Sequence, residues 1–255
     1  MKKSPLKSKP SYELPTEDST PRPSLGDYSI LLFGEKKIGK TTMTACFPNS
    51  YHMMFEPGGK SLRIRANTIN RWDEARGYTR SLRKDEHYQT VVVDTTDRAY
   101  KLCVKYVCAD LGIDHPSDGS YGKGWDACRD EFTDWVYDLL SLGKGVIFIS
   151  HSTEKEIKKR SGVKYDKIVS TMPKQAHEVL DAVVDIWAHY SYEGKRRILQ
   201  IRGDEHVTAG HRLTDHFKGL DQIDMGKSPQ EAYKNFLDAF NNRYQKVALL
   251  KRRKA

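Results

Sequence analysis

No stretch of the 255-residue sequence approaches the roughly 20 consecutive apolar residues that span a bilayer; its longest apolar runs include "GVIFIS" and "VVV". The opening "MKKSPLKSKP" lacks the apolar core of a secretory signal. These absences argue against membrane and secreted classes and set the expectation of a cytoplasmic protein with no membrane partner. Cysteine is scarce: Cys46, Cys103, Cys108 and Cys128 show neither CxxC spacing nor the crowding of a secreted scaffold, so reduced, buried thiols are expected. No internal repeat is visible. Large apolar residues are nearly missing from residues 1–24, where Pro, Ser, Lys and Thr dominate. Such a segment buries too little surface to offset the entropy of ordering, and it is expected to be a disordered tail.

What is present suits one main domain over residues 25–255. Hydrophobic residues make up 38% of the chain, enough for one substantial core. The formal charge of +9 suits a polyanionic partner, and it is unevenly spread: "EKEIKKRSGVKYDK" is basic in mid-chain and "KRRKA" closes it. Short apolar runs alternate with helical stretches from Asp27 onward. "YSILLF", "YHMMF", "TVVVD" and "GVIFIS" read as strands, with helices from about Lys40, around 70–84, near 97–111 and at 125–142. Continuous β-branched runs between helices predict an α/β fold with a mostly parallel sheet covered on both faces. After residue 151 a basic segment leads to a helix and strand in "KQAHEVLDAVVDIWAHY", paired with "RRILQIRG" across a turn at Glu193-Gly194. The core is expected over 27–225, followed by a terminal helix over about 228–250, with Ser228 as cap and Pro229 at its first position.

The strongest motif is Gly34-Glu35-Lys36-Lys37-Ile38-Gly39-Lys40-Thr41, which fits G-x-x-x-x-G-K-[ST] after a strand and before a helix. Glycines let the backbone curl so that successive N–H groups face the phosphates of ATP. Lys40 reaches the β- and γ-phosphates, the Thr41 hydroxyl coordinates Mg²⁺, and Thr42 extends the loop. Asp94 ends an apolar strand, where a parallel sheet presents its ligand edge, and is the expected second metal ligand; Thr95, Thr96 and Asp97 are rival helix caps. Glu56 ends the strand after the phosphate-loop helix and is either a base for attacking water or a turn glutamate before Pro57-Gly58-Gly59.

The segments "FGEKKIGKTT", "FEPGGKSLRI", "VVVDT", "YGKGW", "GVIFISHSTEKEI" and "DAVVDIWAHY" resemble a RecA-like P-loop ATPase core. More closely, the span from about 27 to 240 is similar to the phage-encoded Sak-type ATP-binding proteins of single-strand annealing and recombination. The resemblance implies a C-terminal β-hairpin and helix, and makes Glu56 the general base. It puts His151 where RecA has a γ-phosphate-sensing glutamine, with a buried structural histidine as the alternative. It also implies a ring or filament of identical subunits in which a neighbour's basic finger completes the site. Arg202 in "YSYEGKRRILQIRGD" is the choice for that finger, with Arg196, Arg197 and Arg212 as rivals.

By the same resemblance, single-stranded DNA contacts loops after the sheet strands. The segment Ser152 to Pro173 offers Lys155, Lys158, Lys159, Arg160, Lys164 and Lys167 for phosphates and Tyr165 for a base. The alternative is a solvated charged face, with Glu154 and Glu156 at helical pairing distance from Lys158 and Lys159. A second loop carries Tyr121, Lys123 and Trp125. The implied function is a Mg²⁺-dependent, DNA-stimulated ATPase promoting strand pairing, located in the host cytoplasm if phage-encoded, with a single-strand-binding protein as a further partner. A P-loop kinase and an ATP-regulated, non-catalytic DNA-binding or loader module are the alternatives.

Overall fold

The computed structural model describes residues 14–160, 162 and 164–245. The apolar runs become strands: β1 (Ser29–Gly34), β2 (Ser50–Met54) and β4 (Thr90–Asp94) are buried throughout, and β5 (Gly145–Lys158) over its first six residues. Further strands are β3 (Arg65–Thr68), β6 (Lys164–Ser170), β7 (Ile186–Glu193), β8 (Arg196–Gln200), β9 (Gly210–His211) and β10 (Gln222–Asp224). They form one sheet in the order β10-β8-β7-β1-β5-β4-β2-β3, with β6 on β5 and β9 on β7. From β7 to β3 the pairs along this order are parallel, while β8 and β10 add antiparallel at one side.

The helices are α1 (Lys40–Thr44), α2 (Trp72–Leu82), α3 (Thr96–Leu111), α4 (Lys123–Leu140), α5 (Lys174–Val183) and α6 (Pro229–Phe240). Side chains from α2 to α5 share one core with Leu31, Phe33, Val91, Val93 and Phe148. Those of α1 and α6 share the other with Ile30, Leu32, Val92 and Ile149. Alternate residues of each strand thus feed opposite layers, as period-2 pleating requires. This is the α/β, RecA-like P-loop arrangement expected, with its terminal hairpin and helix.

Several boundaries differ from the sequence reading. The α6 helix starts as expected, with the Ser228 hydroxyl accepting from Glu231 N–H, but it stops at Phe240 instead of reaching 250. Its apolar face, Ala232, Phe236, Ala239 and Phe240, is already buried by then, and Asn242 turns to φ 56°. Asn tolerates this left-handed conformation well, so the pair Asn241-Asn242 ends the helix. Residues 246–255, including "KRRKA", and residues 1–13 of the expected tail lie outside the described residues. The turn between β7 and β8 is Gly194-Lys195, with Glu193 paired to Arg196. Among the described residues no helix is long and apolar enough to cross a membrane.

The largest difference is the basic segment. It is no loop: β5 continues past the sheet edge to Lys158 and turns back as β6, with register Ser152 to Ser170 through Lys158 to Lys164. Extended backbone separates Glu154 and Lys158 too far for the helical pairing considered from the sequence.

His52 occupies the middle of β2, fully buried, and neither ring nitrogen has a partner. Burial lowers it from 6.5 to about 4, and burial with the nearby Lys40 charge lowers His189 to about 4 as well. The unfolded chain therefore binds more protons than the folded one between those values. Stability is fully present above pH 6.5 and is lost as pH falls toward 4, by about 1.4 kcal/mol per pH unit for each histidine. His52→Leu removes one of the two buried bases, so its acid unfolding midpoint should move to lower pH by circular dichroism. An unchanged midpoint would show that His52 does not take part.

Candidate active site

The phosphate loop leaves β1 where neighbouring backbones crowd it. A Cβ on Gly34 would lie 1.9 Å from the Tyr190 carbonyl oxygen of β7, so glycine is required there. Gly39 has φ 108°, a conformation that L side chains rarely adopt, and directly precedes α1. Lys40, the first residue of α1, folds back over the loop: its Nζ donates to the Gly34 carbonyl at 2.8 Å and the Glu35 carbonyl at 2.7 Å. Burial lowers Lys40 to about 8, against the opposing pull of Asp94, Asp97, Glu56 and Glu35. A cation so poorly solvated has much to gain from phosphate oxygens.

Three strand ends converge on the loop. Asp94 pairs with Met54 in β2 and Ile149 in β5, and Phe55 N–H donates to the Asp94 carbonyl at 2.6 Å. The Thr41 hydroxyl donates to Asp94 Oδ2 at 2.5 Å. Burial raises the Asp94 carboxyl above its ordinary value, while the Thr41 hydrogen bond and Lys40 resist the shift. A hydroxyl and a carboxylate side by side are hard oxygen donors that suit Mg²⁺, which ordinarily takes one or two protein ligands and fills its shell with phosphate and water. The residues therefore fit the metal that the motif implies.

Glu56 follows β2 and is held at both oxygens. Thr95 donates its hydroxyl to Oε1 at 2.8 Å, and His151 Nε2 lies 3.4 Å from Oε2. Burial works to raise this carboxyl, but the Thr95 bond, His151 and Lys36 outweigh it and keep the group below the usual carboxylate range. Glu56 is thus ionised at neutral pH and able to accept a proton. A cavity of about 480 Å³ brings together Lys36, Lys37, Gly39, Lys40, Thr41, Thr42, Glu56, Asp94 and His151, walled by Met54, Pro57, Gly58, Gly59, Ser61 and Leu62. Ile38 is fully buried beside it.

His151 sits at the foot of the β5–β6 hairpin opposite Gly34, and its carbonyl accepts from Thr171 N–H at 2.9 Å. Thr171, at the other foot, donates its hydroxyl to Asp97 at 2.5 Å. Both feet of the hairpin therefore touch groups beside the phosphate loop. Sequence spacing does not single out Thr95, Asp97 or Thr171 as site residues. Thr95 sits at the α3 cap position but makes no capping bond with its side chain, which instead holds Glu56.

The other named residues lie apart from the cavity. Lys155 faces Lys167 directly across the hairpin, and Lys158 faces Lys164, which pairs with Glu156 at 2.8 Å. Lys159 pairs with Glu205 and also lies over the Tyr165 ring, which makes a T-shaped contact with His206, so that ring is already engaged. Arg160 is exposed at the turn. In the second loop Tyr121 is fully exposed, while Trp125 donates to Ser117 and packs on His115. Arg202 pairs with Asp221 at 3.2 Å, Arg196 with Asp224 and Glu193, and Arg212 with carbonyls at the end of α5. Of the four finger candidates, Arg197 alone is hydrogen-bonded to the phosphate loop among the described residues, at the Ile38 carbonyl.

A curated relative, the SPbeta prophage-derived uncharacterized protein YorG of Bacillus subtilis (strain 168), is 28% identical over 163 residues, which are 61% of this chain. The match spans about half of that relative, 47% of its length. Among solved structures, the KaiC-like protein PH0186 of Pyrococcus horikoshii OT3 is similar at 13% identity and a TM-score of 0.46, covering 80% of this chain and 88% of its own. The RadB recombinase is similar at 12% identity and a TM-score of 0.43, covering 81% and 90%. The family profile AAA_24, described as an AAA domain, matches residues 27–213, from the start of the core past the β7–β8 hairpin. With its phosphate loop, Asp94 strand end and parallel sheet in that span, the chain belongs to the AAA_24 family.

Proposed function

We propose that the protein is a Mg²⁺-dependent ATPase that binds single-stranded DNA through the β5–β6 hairpin and promotes strand annealing in phage-type recombination, as an assembly of identical subunits. One observation carries this reading: β5 is continuous from the parallel sheet, past His151 beside Glu56, into the basic hairpin. A prophage-derived relative supports the phage setting.

In this reading the phosphate-loop backbone and Lys40 bind the triphosphate. Thr41 and Asp94 would hold Mg²⁺, which would supply neutralisation of the triphosphate charge. Glu56, oriented by Thr95 and His151, accepts the proton of the attacking water. Because His151 and Thr171 anchor the hairpin's feet, a shift of Glu56 toward the γ-phosphate is passed to the DNA-binding element. Arg202 is retained as the proposed finger toward a neighbouring subunit, its Asp221 pair being exposed and weak.

The hairpin has a physical reason to take polyanions. Like charges directly opposite on paired strands repel, and it places Lys155 against Lys167. Nucleic-acid phosphates between them relieve that repulsion. The test is ATP turnover with and without single-stranded DNA at increasing salt, beside DNA affinity for the Lys155→Ala/Lys167→Ala double variant. Stimulation should fade as salt rises. The variant's slope of log affinity against log salt should flatten by about 1.4, or about 0.7 for each phosphate that a lysine no longer neutralises. Turnover indifferent to every nucleic acid would refute the DNA reading.

A further inference from the structure

The β7–β8 hairpin brings Tyr192 and Arg197 opposite each other, and the Arg197 guanidinium lies 5.7 Å from the Tyr192 ring centre. From there Arg197 Nε donates to the Ile38 carbonyl at 2.9 Å, and Nη1 donates to the Lys227 carbonyl at 3.2 Å. Lys227 is itself fixed, since its N–H donates to Glu231 of α6 at 2.8 Å. The Arg197 carbonyl accepts from Met225 N–H at 2.8 Å, so backbone and side chain are tied to the same C-terminal layer.

The consequence follows from peptide geometry. In a trans peptide the carbonyl and the next N–H point in opposite directions. Holding the Ile38 carbonyl outward toward Arg197 therefore turns the Gly39 N–H inward, to the side where a phosphate loop receives its ligand. Gly39, without a Cβ and at φ 108°, would otherwise be free to rotate this peptide. We infer that Arg197 is a positioning residue of the phosphate loop, acting within its own chain to preset the Ile38–Gly39 peptide for the β-phosphate and to tie loop shape to the α6 layer. The inference rests on the reading of the loop as the ATP site.

ADP separates this role from that of a finger acting on the transferred phosphoryl group, because ADP has no γ-phosphate. The experiment titrates MgADP and MgATP into the full chain as wild type, Arg197→Ala and Arg197→Lys. Both variants should bind both nucleotides about tenfold more weakly, since lysine keeps the charge but lacks the planar fork that spans two carbonyls. Wild-type ADP affinity in Arg197→Ala, with only turnover lost, would overturn the inference. So would recovery in Arg197→Lys, which would reduce the effect to charge. If neither variant folds, Tyr192→Ala removes the ring beneath the guanidinium and should weaken ADP binding about threefold; unchanged affinity there would overturn it equally. Wild-type protein that bound neither nucleotide would defeat the underlying site reading, an outcome distinct from variants that bind as well as wild type.

Discussion

Glu56→Gln is expected to reduce ATP turnover by about 10²- to 10⁴-fold, the range a positioned general base contributes, while MgATP affinity stays within a few fold of wild type. The amide is nearly isosteric and its oxygen can still accept from the Thr95 hydroxyl, so orientation is largely kept. What disappears is a carboxylate that Thr95, His151 and Lys36 hold ionised. Steady-state hydrolysis and equilibrium binding together read the result. Unchanged turnover would remove Glu56 from the base role. Turnover abolished with annealing intact would favour a protein that uses ATP only as an assembly ligand.

Lys40→Ala should have a comparably large effect, but on binding as well as rate. Lys40 is buried and surrounded by Asp94, Asp97, Glu56 and Glu35, so its removal leaves uncompensated negative charge facing the incoming triphosphate. Removing a charge-assisted hydrogen bond of about 1.5–3 kcal/mol corresponds to roughly a ten- to hundredfold loss of affinity. Turnover should fall by a further 10²–10³, about the cost of deleting one preorganised donor aimed at developing charge. Asp94 is affected too. Its carboxyl, raised by burial and held back by the Thr41 hydrogen bond and by Lys40, should rise further in the variant.

Much of this site was legible because its chemistry is local. The Gly34 and Gly39 spacing and Lys40 specify the loop within eight residues, and Asp94 closes an apolar run whose burial on both faces follows from composition. Contacts among Glu56, Thr95 and His151 need the ends of β2, β4 and β5 side by side, and only sheet order supplies that. The β5–β6 hairpin escaped because both its faces are largely polar, so charge hid the period-2 signal; Lys155, Ile157, Tyr165 and Lys167 share a face only once the register is known. Strand β3 was missed for the same reason, its four residues being mostly exposed. Spacing could not choose among Arg196, Arg197, Arg202 and Arg212 either. The turn at Gly194-Lys195 sets the register that carries Arg197 to the phosphate loop and leaves Arg202 on Asp221. By contrast, the end of α6 was written in Asn241-Asn242 and could have been read.

The most direct test of the account is calorimetric titration of ATP into wild-type protein and Lys40→Ala, each with and without Mg²⁺. Metal-dependent binding by wild type, weakened at least about tenfold in the variant, is the predicted result. Equal affinity in the two proteins, or no binding by either, would contradict it.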